Sequence, residues 1–222
     1  MIRALIFDFD GLVLDTEVPD YQSWQEIYQS FGCSLPLSAW ATCIGSGPAF
    51  FDPCGYLEAQ LGRPVNREDI RSKQRQRSVG LIEAQSILPG VEAYIADAKR
   101  LSLKLGLASS SSRDWVMGHL SRLGLQAHFD CIKSADDVEH TKPDPELYCS
   151  ALDALNLLAD QAIALEDSPN GISAAKRAGL YCVAVPNPLT RQLALEQADL
   201  QVASLADLPL EELLLKVQSK GR

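Results

Sequence analysis

Five short apolar runs recur along the chain, and turn-forming residues bound each of them. They cover residues 4–9, 104–108, 131–133, 162–165 and 182–185. Runs of this length without polar alternation are typical of strands buried on both faces of a parallel sheet. Helical patterns separate the runs, so the sequence predicts right-handed β-α-β units. The expected fold is α/β, with a Rossmann-like parallel sheet core flanked by helices.

The interval between the first two runs is too long for one crossover helix. It contains helical patterns only, including an apolar stripe at Trp24, Ile27, Tyr28 and Phe31. Farther along, Asn66 is a candidate N-cap for a helix that runs towards residue 84. We therefore predict an α-helical insertion at residues 16–87, after the first strand. Residues 1–15 and 88–222 then form the α/β core.

Composition and charge narrow the classes of function. The 222 residues include 46% hydrophobic and 22% charged residues, which is typical of a globular protein. The net charge of −9 disfavours binding to nucleic acid or to anionic membranes. Neither a signal peptide nor a long apolar span is apparent, and the six cysteines are scattered without metal-binding spacing. We expect a cytoplasmic monomer with reduced thiols.

Acidic pairs follow two of the predicted strands. Asp8 and Asp10 end the first run, beside Gly11, and Glu166 and Asp167 end the fourth. Ligands of open parallel sheets bind at the carboxyl ends of the strands. An isolated pair of this kind is most often only an acidic turn. If strands one and four are neighbours, however, four carboxyl groups converge, and such a cluster favours Mg²⁺.

Hydroxyl groups and a lysine follow two more of the predicted strands. Ser109 and Ser110 end the second run, where a strand-to-helix turn offers backbone N–H groups to a phosphate. The alternative is a capped loop, with Ser112 as the N-cap. Lys142 follows the third run and stands directly before Pro143, and together with Pro145 this proline stiffens the loop. It would either bind a phosphate beside the carboxylates or lie in solvent.

Together these motifs resemble the haloacid dehalogenase superfamily. The sequence is similar to its helical-cap branch, which includes β-phosphoglucomutase and many small phosphatases. The resemblance implies that the insertion at residues 16–87 is the cap domain and that residues 1–15 and 88–222 form the catalytic core. The resemblance rests on four motifs in chain order, each at the end of a different predicted strand. They are Asp8-Phe9-Asp10-Gly11 with Asp15-Thr16, then Ser109, then Lys142-Pro143, and finally Glu166-Asp167-Ser168.

The resemblance implies a role for each of these residues. Asp8 would be the nucleophile that becomes an aspartyl-phosphate, and Asp10 the general acid and base. The implied metal site is Mg²⁺ held by Asp8, the backbone carbonyl of Asp10, and Asp167, with Glu166 beside them. The implied phosphate-binding residues are Ser109, Ser110, Lys142 and Gly11.

The resemblance leaves two reactions open, and the cap bears on the choice between them. The preferred hypothesis is a Mg²⁺-dependent phosphatase acting on a small phosphate monoester such as a sugar phosphate. The alternative is a phosphosugar mutase similar to β-phosphoglucomutase. A mutase would carry a histidine where this chain has Asp20, and an arginine shortly after Gly45-Ser46, where there is none. The candidate specificity residues are Thr16, Asp20, Trp24, Gly45 and Ser46.

The sequence bears on three further interpretations. Metal-independent dehalogenation is disfavoured because Asp10 is present. A phospho-aspartate signalling module would carry its acidic pair after the first strand, but its phosphorylated aspartate later in the chain. Basic residues of the cap, among them Arg67, Arg71 and Arg75, either steer phosphorylated substrates or form a solvated helix face.

Overall fold

The computed structural model describes residues 1–42, 44 and 51–220. Its strands are β1 (Ala4–Phe7), β2 (Lys104–Ala108), β3 (Cys131–Lys133), β4 (Ala162–Glu166), β5 (Tyr181–Ala184) and β6 (Leu200–Gln201). The helices before β2 are α1 (Glu17–Ser30), α2 (Leu37–Trp40), α3 (Pro53–Leu61), α4 (Arg67–Glu83) and α5 (Val91–Arg100). Those after it are α6 (Arg113–Arg122), α7 (Glu146–Leu155), α8 (Pro169–Arg177) and α9 (Leu210–Lys220).

The six strands form one parallel sheet in the order β3-β2-β1-β4-β5-β6. The predicted Rossmann-like α/β fold is therefore confirmed. Strand β1 lies in the middle of the sheet and pairs with both β2 and β4. Because these strands are parallel, the residues that follow them meet at one edge. Strand β6 was not predicted, since two residues leave no hydrophobic period to detect.

Alternating side chains of the sheet pack into two apolar layers. Leu5 and Phe7 lie in a cluster with residues of α5, α6 and α9. Ala4 and Ile6 point to the opposite face and pack with α7 and α8. Strand β1 is thus buried on both faces, as its continuous apolar run predicts, and this burial fixes the position of the residues that follow it.

The long interval after β1 holds the helices α1 to α4. Buried aromatic and aliphatic residues, among them Tyr21, Trp24 and Tyr28, form a third cluster there, and Leu189 of the sheet-bearing part joins it. At the base of this helical segment, Leu14 forms a bridge with Ile87. The helical insertion is confirmed, whereas the domain boundaries near residues 16 and 87 stay a prediction.

Helix starts agree with the capping residues in the sequence. The Asn66 side chain accepts a hydrogen bond from the Asp69 amide at 3.2 Å, at the start of α4. Ser112 accepts one from the Trp115 amide at 3.4 Å, at the start of α6. In the part of the chain that is described, no helix has the length and apolar character needed to cross a bilayer.

Candidate active site

Three buried carboxyl groups converge at the carboxyl edge of the central strands. Asp8 follows β1, Glu166 ends β4, and Asp167 comes next. One oxygen from each lies within 4.8 Å of one from each of the others. The pairing of β1 with β4 produces this proximity, as the sequence predicts. Since like charges so close repel one another, the cluster needs a neutralising partner.

Lys142 supplies part of that neutralisation. Its Nζ pairs with Asp8 Oδ1 and, at 2.6 Å, with Glu166 Oε1. It also lies 5.1 Å from the centre of the Tyr148 ring. The side chain is only 1% exposed, and burial alone would lower the pKa of this amine, but the two carboxylates raise it above its usual range. Lys142 is therefore a fixed buried cation and not a solvated loop lysine.

Glu166 is held by donors on both of its oxygens. Oε1 accepts from Lys142 and, at 2.7 Å, from the Tyr148 hydroxyl. Oε2 accepts from the Asp167 amide at 3.1 Å and from Ser168. The sequence places Glu166 among the metal ligands. Because its oxygens are already engaged, we interpret it instead as the group that positions Lys142.

Asp167 has an oxygen that is left without a partner. Its Oδ2 accepts a hydrogen bond from Asn187 Nδ2 at 2.8 Å. Its Oδ1 is buried and has no hydrogen-bond partner among the residues that the structure describes. Burial and the nearby carboxylates raise the pKa of Asp167 well above its usual range, and burial raises that of Asp8 to about 8. A divalent cation beside Asp8 and Asp167 would satisfy both the open oxygen and the charge, so these two residues fit a bound Mg²⁺.

Gly11 permits the backbone to pass close to this cluster. Its φ is +86°, a conformation that favours glycine. A Cβ at this position would lie 2.3 Å from Asp167 Oδ2 and 2.7 Å from Asn187 Nδ2. Gly11 is therefore required for the turn between Asp8 and the residues that follow.

The Asp10 carboxylate lies outside the cluster of Asp8, Glu166 and Asp167, and it accepts four hydrogen bonds. Thr16 Oγ1 and Trp115 Nε1 donate to Oδ1 at 2.8 and 2.9 Å. Ser111 Oγ and Ser109 Oγ donate to Oδ2 at 2.7 and 3.1 Å. The side chain of Asp10 is thus not a metal ligand here, which leaves only its backbone carbonyl for the expected metal contact.

A cavity of about 260 Å³ opens beside Asp8 and Asp10. Thr16, Asp20 and Ser110, all predicted candidates, are among the residues that line it. Ser109 is fully buried behind the cavity wall, and its hydroxyl accepts from the Ser111 amide at 3.0 Å. The structure therefore brings the first motif, the serine run and part of the helical insertion together around one space, and Lys142 contacts one of the lining residues, Asp8.

Some candidates from the sequence lie elsewhere. Trp24 is 5% exposed within the apolar cluster of the cap and does not line the cavity, so its proposed contact with substrate is not supported. Gly45 and Ser46 lie outside the described residues. Arg67 pairs with Asp52 and Glu58, and Arg71 pairs with Asp52. These two arginines are partners of acids in the cap, not free steering charges.

Four residues of the site were not among the candidates predicted from the sequence. Ser111 belongs to the serine run, which drew attention to its first two members only. Asn187 lies three residues beyond β5, where an Asn-Pro pair is an ordinary turn signal. Tyr148 and Trp115 are apolar positions of α7 and α6, and nothing in their local pattern indicates that their polar atoms reach a carboxylate.

Comparison with known proteins gives a consistent result. Residues 5–185 match the family model described as "Haloacid dehalogenase-like hydrolase". The chain is 48% identical over 221 residues to the "Putative phosphatase YhcW" of Bacillus subtilis (strain 168), and the match covers 100% of both chains. It is 30% identical over 207 residues to validoxylamine A 7'-phosphate phosphatase of Streptomyces hygroscopicus subsp. limoneus, covering 93% of this chain and 96% of that protein.

A solved structure shares the fold across nearly the whole chain. The β-phosphoglucomutase of Clostridium difficile superposes with a TM-score of 0.75 at 27% identity, covering 99% of each chain. The match to the family model spans more than half of the chain and includes Asp8, Ser109, Lys142 and Asp167. This chain is an enzyme that belongs to the haloacid dehalogenase-like hydrolases.

Proposed function

We propose that the protein is a Mg²⁺-dependent phosphatase that hydrolyses a small phosphate monoester, such as a sugar phosphate, through an aspartyl-phosphate on Asp8. The observation that carries the proposal is the difference in surroundings between Asp8 and Asp10. Asp8 lies against the buried Lys142 cation, and one of its oxygens is within 4.8 Å of an Asp167 carboxylate oxygen. Asp10 is held apart by four donors and faces the same cavity.

The proposed first step is attack by an Asp8 carboxylate oxygen on phosphorus. The bond between phosphorus and the leaving-group oxygen breaks, and Asp10 gives its proton to that oxygen. In the second step Asp10 takes a proton from water, and the water oxygen displaces Asp8 from phosphorus. Three of the four donors to Asp10 are hydroxyls that can rotate to accept, so the site accommodates Asp10 in both protonation states.

Asp8, Asp167 and the backbone carbonyl of Asp10 would hold the cation. When bound, it would offset the repulsion between an anionic nucleophile and an anionic phosphate. Lys142 is placed to act on the same charges from inside the protein, because its Nζ contacts Asp8 directly. Glu166 and Tyr148 fix the position of this lysine.

The test is phosphate release from a panel of sugar, nucleotide and small organic phosphates, with Mg²⁺ or with EDTA. We expect release with Mg²⁺ only, and none from Asp8→Asn, because an amide cannot serve as the nucleophile. Far-ultraviolet circular dichroism checks that the variant folds. Release by the folded variant at the wild-type rate would contradict the role of Asp8.

The structural likeness to β-phosphoglucomutase favours one alternative function, that of a phosphosugar mutase. A mutase must hold a second phosphate, which calls for a cation on the cap side of the cavity. The residues described as lining the cavity include no lysine or arginine. Interconversion of hexose 1- and 6-phosphates with a bisphosphate primer, and little free phosphate, would favour the mutase.

A further inference from the structure

The cavity beside Asp8 is lined by an unusual set of charges. Its described lining residues are Asp8, Asp10, Thr16, Glu17, Asp20, Ser78, Ile82, Ser110, Ser111 and Trp115. Four of these residues are acidic, and none of them is basic. Residues 43 and 45–50 are not described, but their sequence contains no lysine, arginine or histidine.

The four acids divide between the two sides of the cavity. Asp8 and Asp10 lie at the sheet edge, where the phosphoryl group would react. Glu17 and Asp20 belong to α1, and Ser78 belongs to α4, so these three line the side formed by the helical insertion. The part of a substrate that leaves with the ester oxygen must therefore lie next to carboxylates.

Asp20 is held in one orientation by its neighbours. Its Oδ1 accepts from Gln74 Nε2 at 2.6 Å and from Ser78 Oγ at 2.9 Å. Gln74 and Ser78 are themselves buried, and Gln74 also donates to Ser23 at 2.8 Å. For Oδ2, no hydrogen bond is described within the ranges that the structure covers. Asp20 thus offers one fixed acceptor oxygen beside the cavity.

We propose that the leaving group carries hydroxyl or ammonium groups but no second anionic group, and that Asp20 Oδ2 accepts a hydrogen bond from it. The substrate class is then a polyol or aminopolyol monophosphate. This inference rests on the proposed function, because it assigns the contents of the same site. A carboxylate or second phosphate on the leaving group would face Asp20 with no lysine or arginine in the described lining to compensate the repulsion.

Arg75 is a cation near the cavity to which a second anionic group of a ligand could bind. It borders a second cleft, which shares Asp20, Ser78 and Trp115 with the first. Its side chain is exposed. A long bisphosphate that extended past Asp20 would reach this arginine, so preferential binding of a doubly anionic ligand is the outcome that contradicts the proposal.

The test compares two ligands that differ in one group. Sorbitol 6-phosphate ends in a hydroxymethyl group, whereas 6-phosphogluconate ends in a carboxylate on a chain of the same length. Their Kd values would be measured by calorimetry with Mg²⁺ on Asp8→Asn, a variant in which turnover cannot interfere. We expect the carboxylate ligand to bind at least tenfold more weakly. Glucosamine 6-phosphate should bind at least as tightly as glucose 6-phosphate, because its ammonium group faces acids.

A second substitution assigns the selectivity to Asp20. In the Asp8→Asn background, Asp20→Asn keeps the shape and the acceptor for Gln74 and Ser78 but removes the charge, so the ratio of Kd values should fall at least threefold. The matched control is Glu26→Gln, which removes a charge from the same helix, where Glu26 pairs with Arg77. The control should leave the ratio unchanged.

The outcomes separate the two proposals. Equal binding of sorbitol 6-phosphate and 6-phosphogluconate, or tighter binding of 6-phosphogluconate or fructose 1,6-bisphosphate, would overturn the inference even if the wild type releases phosphate. A wild type that releases no phosphate would overturn the proposed function, while the Kd ratio would still decide the selectivity of the cavity. A ratio that Asp20→Asn leaves intact would remove Asp20 from the explanation.

Discussion

Gly171 lies in the first turn of α8, directly against the Glu166 carboxylate. A Cβ built there would be 2.0 Å from the carboxylate carbon and from both of its oxygens. This glycine therefore serves close approach, and its backbone is ordinary helix. Because Glu166 is fully buried and holds Lys142, it has little freedom to retreat.

Gly171→Ala should lower the free energy of unfolding by about 1–3 kcal/mol, the usual cost of overpacking a buried site. Urea unfolding measures the change. The matched control is Gly118→Ala in α6, where no atom lies within 4 Å of the new Cβ. That variant should be stabilised by up to about 1 kcal/mol, because alanine is the better helix former. An equally stable Gly171→Ala protein would contradict the tight fit.

Of the four described donors to Asp10, three are hydroxyls that can also accept a hydrogen bond, whereas the Trp115 Nε1–H group can only donate. Trp115→Phe keeps a ring beside His119, whose centre is 4.4 Å away, but removes the N–H group. With Asp10 less well oriented, we expect kcat for phosphate release to fall about tenfold with little change in KM, within the usual range for general acid–base catalysis. Steady-state kinetics measures both constants. An unchanged kcat would show that the three hydroxyls suffice.

At the scale of elements, the loop after β5 supports the site through Asn187. Its Oδ1 accepts from the Leu189 and Thr190 amides at 2.8 and 2.9 Å, which turns its Nδ2 towards Asp167. The loop thus fixes the orientation of a proposed metal ligand. Groups that orient a ligand in this way typically affect metal affinity 10- to 100-fold.

Asn187→Ala should raise the Mg²⁺ concentration needed for half-maximal activity about tenfold, and excess Mg²⁺ should restore most of the activity. Titration of phosphate release with Mg²⁺ tests this. Asn187→Asp provides a comparison, since it keeps an acceptor for the two amides while it loses the donor to Asp167. If both variants need no more Mg²⁺ than the wild type, Asn187 does not orient Asp167.

Elements were predictable from the sequence to the extent that burial imposes a pattern. The predicted strands stand out because their runs are largely apolar, although β3 is only partly buried. Strand β1 ends at Phe7, whereas its predicted run extends to residue 9. The Phe9 carbonyl accepts hydrogen bonds from the Val13 and Leu14 amides, which turns the chain. Apolar residues in such a turn look like strand residues. The four motifs were visible because their residue types carry chemistry. Trp115 was not, because its contact with Asp10 joins residues 105 positions apart.

At the scale of the whole molecule, stability in alkali depends on buried tyrosines. Tyr94 of α5 is 2% exposed, and its hydroxyl donates to the Leu208 carbonyl at 2.6 Å, just before α9. Burial raises the pKa of Tyr94 to about 12. Since the folded pKa exceeds the unfolded value of about 10, its stabilising effect is complete below pH 10 and is lost as the pH rises towards 12.

Tyr94→Phe should therefore weaken the loss of stability between pH 9 and pH 11.5. By linkage Tyr94 accounts for at most about 2–3 kcal/mol of the stability lost in alkali. Other buried tyrosines add to that loss. Urea midpoints of both proteins across this range give the comparison. Parallel pH profiles for wild type and variant would show that Tyr94 does not contribute. At pH 8 the variant should lose about 1 kcal/mol, for the missing hydrogen bond.

The bridge between Leu14 and Ile87 has a consequence for how this enzyme can change. Next to it, the Leu88 amide donates to the Val13 carbonyl at 3.0 Å, so the chain returns to the point at which it left the sheet. Closure entropy depends only weakly on loop length once the ends are fixed together. The segment between them can therefore lengthen, shorten or be exchanged with little penalty to the sheet. We expect substrate preference to change there while the chemistry proposed for Asp8 is kept.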